Sequence, residues 1–150
     1  MNVAQICEAL KDLIKADTSN FDGVIVERDE FVNDDPDQAR IGWIGIYRNR
    51  VKYNPDSLGA AYIGRYHLNP ITLTLIIQVT DYDSGEACAD RLEALIASVI
   101  SLLLTNDSIS GLIDYASRME VSYAYDPRSD KGKLYMQTAI MEIDLEVANG

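Results

Sequence analysis

ITLTLIIQVTDYDSGEACADRLEALIASVISLLL, residues 71 to 104, decides the fold. Ile71, Leu73, Leu75, Ile77 and Val79 fall at every second position, so a strand places all five on one face. Thr72, Thr74 and Gln78 keep the other face polar, with Ile76 as its one apolar member. Asp81 to Gly85 then break the alternation with turn residues. Asp83 followed by Glu86 has capping-box spacing, and Ser84 is a second candidate cap. Beyond the turn, Cys88, Leu92, Leu95, Ile96, Val99, Ile100 and Leu103 repeat at threes and fours, the stripe of a long helix. Burying each large apolar side chain contributes on the order of 2 kcal/mol. A strand, a tight turn and a helix thus form the centre of the domain.

Working outward, Asn2 to Lys15 reads as a first helix, with Val3, Ile6, Cys7, Leu10, Leu13 and Ile14 on one side. Val24 to Val26 reads as a short strand. Asp29 to Asp37, DEFVNDDPD, is an acidic loop. Its spacing lacks the alternating ligands, central Gly and terminal Glu of a calcium-binding loop, so a solvated loop is the plain reading and no metal is assigned.

Ile41 to Tyr53, IGWIGIYRNRVKY, carries the most information about partners. Its even positions run Gly42, Ile44, Ile46, Arg48, Arg50, Lys52, so one face turns from apolar to basic halfway along. A strand that begins in a sheet and continues beyond it has that pattern. Asn54 to Gly59 supply a turn, and Ala60 to Leu68 return with Tyr62, Arg65 and Tyr66. Together these predict a β-hairpin arm with its tip outside the domain. Arg48, Arg50, Lys52, Tyr53, Tyr62, Arg65 and Tyr66 are its candidate docking residues, for another subunit or for a tube. A wet edge hairpin with ordinary charges is the other reading of the same residues.

After the helix, Thr105 to Ser108 form a loop and Ile109 to Ala116 is ambiguous. Met119, Val121, Tyr123 and Tyr125 alternate as a strand. Leu134 to Val147 is a last long strand, with Met141, Ile143, Leu145 and Val147 on one side and Glu142, Asp144 and Glu146 on the other. The whole predicts a single α+β domain over residues 1–150. A mixed or antiparallel sheet of about four to six strands packs against two helices, and a β-hairpin arm protrudes.

Composition narrows function by exclusion. A formal net charge of −11 on 150 residues, with 13 basic against 24 acidic side chains, suits neither a phosphate backbone nor an anionic membrane. No uncharged apolar run is long enough to span a bilayer, and the first residues lead into a polar-faced helix rather than a secretory signal. Cys7 and Cys88 fall on apolar helix faces, as reduced core thiols do. His67 is the single histidine, so no Ser–His–Asp or Cys–His arrangement can be assembled from spacing. Gly42 and Gly45 lack the Lys–Ser/Thr of a phosphate loop.

The arm RNRVKYNPDSLGAAYIGRYHL, the strand ITLTLIIQV, the helix opening DSGEACADRLEALIASVISLLL and the closing strand KLYMQTAIMEIDLEV resemble tail terminator, or tail completion, proteins of long-tailed bacteriophages. The resemblance is one of layout, from the first helix to about Val147, and carries no catalytic motif. It implies a homohexameric ring that caps the tail tube, stops its elongation and offers the surface to which the head attaches through a neck or connector protein. In contractile tails the sheath is a further partner. It implies no cofactor, no catalysed reaction and no membrane, with DNA only passing through the bore. The expected place is the head-proximal end of the virion tail, after assembly in a bacterial cytoplasm. A second expectation puts Glu142, Asp144 and Glu146 on the lumen, where like charge keeps a duplex from sticking. The alternatives are another phage neck, connector or tube protein, a small acidic hydrolase or isomerase with a carboxylate pair, and a monomeric binding module.

Overall fold

A computed structural model describes residues 3–52, 68–126 and 134–148. Helix α1 (Val3–Ala16) and the short α2 (Thr18–Phe21) precede β1 (Ile25–Arg28). A 3-10 turn at Pro36–Ala39 leads to β2 (Trp43–Val51), and β3 (Leu68–Asp81) follows. Helix α3 (Gly85–Thr105), β4 (Tyr115–Asp126) and β5 (Tyr135–Ala148) follow and complete the elements among the described residues. The strands make one five-stranded sheet in the order β1-β2-β3-β5-β4, parallel at β1–β2 and antiparallel elsewhere. The α+β fold is as the sequence leads one to expect. Two elements it did not signal are α2 and the 3-10 turn.

The alternation in β3 sets the layering. Leu73, Leu75, Ile77 and Val79 are fully buried, beside Met141, Ile143 and Leu145 of β5 and Ile44 and Ile46 of β2. The two long helices cover that face. Helix α1 brings Ile6, Cys7, Leu10 and Ile14, while α3 brings Cys88, Leu92, Ile96, Val99 and Leu103. Ser84 caps α3, accepting a hydrogen bond from the Ala87 N–H at 3.2 Å, so the cap is Ser84 rather than Asp83. Asp81 accepts the N–H groups of Asp83 and Ser84 and holds the turn before it. Ile100 lies on the flank of the helix, half-buried, and Leu102 takes a buried place instead.

The second face of the sheet is less wet than its polar residues suggest. Thr72, Gln78 and Thr80 are all buried. The chain between β1 and β2 has no long helix to carry it back, so it runs across this outer face. There Asn33 Nδ2 donates to Gln78 Oε1 at 3.3 Å, and Thr80 Oγ1 donates to the Pro36 carbonyl at 2.7 Å. The acidic segment is thus tied to the sheet rather than simply solvated. Trp43 is fully buried there, and its ring and that of Tyr47 close over Gly45.

Candidate interaction surface

The basic face expected along β2 does not exist as one face. β2 and β3 pair in regular antiparallel register to Arg48↔Leu73, but the next pair is Arg50↔Thr72, leaving Asn49 as an extra, bulged residue. The bulge reverses the alternation. Arg48 stands on the helix side, Arg50 on the outer side with Thr72, and Val51 returns to the helix side beside Ile71. Asn49 instead donates to Thr74 Oγ1 at 2.8 Å. Arg48, Arg50 and Lys52 are nonetheless all exposed. Arg48 Nε pairs with Asp29 at 3.2 Å, and Asp29 also meets Arg28, which pairs with Glu8 at 3.0 Å. Exposed pairs of this kind are worth about 0–1 kcal/mol, so Arg48 can exchange partners at small cost. The Lys52 N–H donates to the Pro70 carbonyl, one residue past the end of β2. Tyr53, Tyr62, Arg65, Tyr66 and His67 lie outside the described residues, and so does the tip of the expected arm.

Glu142, Asp144 and Glu146 do share the outer face, opposite Thr74, Thr72 and Pro70 of β3. They are not a row of free acids. Arg118 of β4 sits opposite Asp144 and reaches three carboxylates: Asp144 at 2.7 Å, Glu142 at 3.4 Å and Glu120 beside it. Thr72 Oγ1 donates to Asp144 at 2.8 Å. The Arg118 guanidinium, followed by the Thr72 hydroxyl, holds the Asp144 carboxyl below its ordinary range. Hydrogen bonding to Asp144 in turn raises Arg118. Sequence reasoning missed Arg118, because only the β4–β5 register places it among these acids.

The edges of the sheet hold the remaining unpaired surface. Among the described residues, no strand pairs with the outer side of β1 or of β4. Some of the exposed large apolar side chains lie at or near these edges, while Tyr82 and Tyr135 are exposed at the ends of the inner strands β3 and β5. Ile25 lies in β1 and Ile41 beside Gly23 just before it, whereas Phe31, 95% exposed, and Val32 belong to the segment that crosses the outer face. Tyr115 and Tyr123 lie in β4, with Leu104 on the neighbouring end of α3. Tyr123 donates to Glu93 of α3, so the flank of α3 bearing Glu93, Ala97, Ile100 and Leu104 faces β4. Met119 and Val121 are half-buried beside that flank, on the helix side of the sheet.

A carboxylate-pair enzyme needs a pocket that raises an acid's pKa. An open cleft of about 980 Å³ is lined by Asp37, Arg40, Asp81, Tyr82, Asp83 and Arg91. Tyr82 donates to Asp37 Oδ1 at 2.7 Å, and the Arg40 guanidinium lies 5.4 Å from the Tyr82 ring centre. Asp81 accepts the backbone N–H groups of Asp83 and Ser84 and pairs with Arg91 at 3.0 Å. Those bonds, the backbone ones first, lower its pKa. That is the direction opposite to a general acid's. Cys7 and Cys88 are buried and unpaired thiols, and burial pushes Cys7 up to about 11. Among the described residues, no group of three or more His, Cys, Asp or Glu side chains is placed to hold a metal, and no helix is long and apolar enough to cross a membrane.

Among the described residues, fold and surface define the class at this level: an α+β protein with one five-stranded sheet, two unlike edge strands and a charged outer face. No protein-family model matches the chain, and no curated protein is found to match it.

Proposed function

We propose that this chain is the subunit of a head-to-tail ring that caps a phage tail tube, halts its growth and presents the surface to which the head attaches through a neck protein. The observation that carries the reading is the pair of unlike edges. Ile25 stands exposed on β1, and Tyr115 and Tyr123 stand exposed on β4, the two strands at opposite edges of the sheet. Two different patches on one subunit are what a heterologous, closing association requires. The resemblance to tail terminators supplies the object that is capped, and the head-proximal tail end as its place. Arg48, Arg50 and Lys52, exposed in the last part of β2 and just past it, are the basic contacts offered to a neighbour or to the tube. The outer-face acids suit a bore, with Arg118 offsetting part of their charge.

The test is to change Arg48, Arg50 and Lys52 together to Glu. Native mass and tube-capping assays should show loss of the ring or of capping. A triple variant that keeps the wild-type mass and still caps tubes refutes the role of the strand end. Wild-type protein that co-sediments with neck complexes but never with tubes would instead assign it to the neck or connector.

A further inference from the structure

We propose that β4 is the acceptor edge for a second copy of this chain, and that the copy docks through its β1 to continue the sheet from subunit to subunit. This deepens the ring reading and rests on it. β4 spans twelve residues, Tyr115–Asp126, and only β5 pairs with it among the described residues. A long open edge with half-covered apolar residues beside it is a template for another strand. Here Met119 and Val121 extend the core to the edge, with Ala97, Ile100 and Leu104 of α3 standing alongside.

Strand direction selects the donor. β1 runs with β2, β3 runs against β2, β5 against β3, and β4 against β5. β1 therefore runs opposite to β4. A head-to-tail neighbour that keeps the strand axis presents β1 antiparallel to β4, the sense in which ladder bonds lie straight across. Face and charge select the register. Val26 shares the helix side with Ile44, and Met119 shares it with Ile143. Glu27 and Arg118 both stand on the outer side. Setting the neighbour's Glu27 opposite Arg118 brings its Val26 beside Met119 and pairs Glu27 with the one cation of that cluster, which it would share with Asp144, Glu142 and Glu120. A slip of two residues one way opposes Glu27 to Glu120, like against like. A slip of two the other way runs into the register break between Ala116 and Arg118. A slip of one turns every side chain to the wrong face. Glu27 takes part in none of the ion pairs among the described residues, so it is free to make this one.

The experiment places cysteines at both ends of the proposed contact. In a Glu27→Cys/Arg118→Cys chain, a short bismaleimide should link subunits into a ladder that ends at the ring, whereas each single variant should stay unlinked. The native thiols of Cys7 and Cys88 are buried and do not compete. In parallel, Met119→Lys and Val121→Lys each place a charge on the helix side of the seam and should leave a folded monomer. Unchanged Trp43 fluorescence and cooperative melting show that these chains remain folded. If the wild type is a ring but the double-cysteine chain gives no ladder and both lysine variants still form rings, the edge contact is wrong and the ring reading stands. If the wild type stays monomeric even on tubes, both fall.

Discussion

Replacing Gly45 by alanine tests the packing of the outer face at its tightest point. A Cβ at position 45 comes within 2.5 Å of Trp43 Cη2, 2.7 Å of Tyr47 Cε2 and 2.8 Å of the Tyr47 hydroxyl. Neither ring has an easy retreat, since Trp43 is fully buried and the Tyr47 hydroxyl is buried as well. Overpacking of this kind costs about 1–3 kcal/mol. Alanine in a strand regains about 0.5–1 kcal/mol of backbone entropy relative to glycine. The net is a loss of up to about 2.5 kcal/mol, centred on about 1 kcal/mol, or about 2–4 °C in melting temperature at that centre for a domain of this size. Trp43 is the only tryptophan, so its emission reports the same event and should shift to the red. Removing ring bulk by Trp43→Phe should cost less in the Gly45→Ala background than in the wild type, because the clash is then partly relieved. A Gly45→Ala chain that melts at or above the wild-type temperature with unchanged emission refutes the argument.

Other outcomes follow from the same structure. Leu75→Ala empties a fully buried site at the sheet centre and should cost about 2–5 kcal/mol in chemical denaturation. Ser84→Ala removes the cap of α3 and should cost about 1 kcal/mol by the same measurement. Asp144 has a lowered folded-state pKa, so the stability it contributes is complete above the ordinary carboxylate value of about 3.9 and is lost as pH falls through the lower folded value. Acid titration of Asp144→Asn should therefore show a shallower loss of stability in that window than the wild type. Cys7 and Cys88 should resist alkylation at neutral pH in the folded chain and react fully in denaturant, read by intact mass.

Much of the fold was legible because it rests on local periodicity. The five alternating residues of β3, the helix stripe from Cys88 to Leu103 and the two-sided β5 each announce an element and its buried face, and the structure seats them against one another. The interaction surface was legible only in part. Arg48, Arg50 and Lys52 were recognised as basic and exposed, but not that Asn49 is bulged and divides them between faces. Glu142, Asp144 and Glu146 were recognised as facing away from the core, but not that Arg118 gathers two of them.

Residue order alone determined which stretches are strands and helices and which side of each is apolar, since the periods of two and of about three and a half are properties of the local backbone. Only the tertiary structure decided which strands lie at the edges, where the alternation slips by one and which distant charges meet. Those depend on strand order and pairing register, and register is set between segments far apart in the chain.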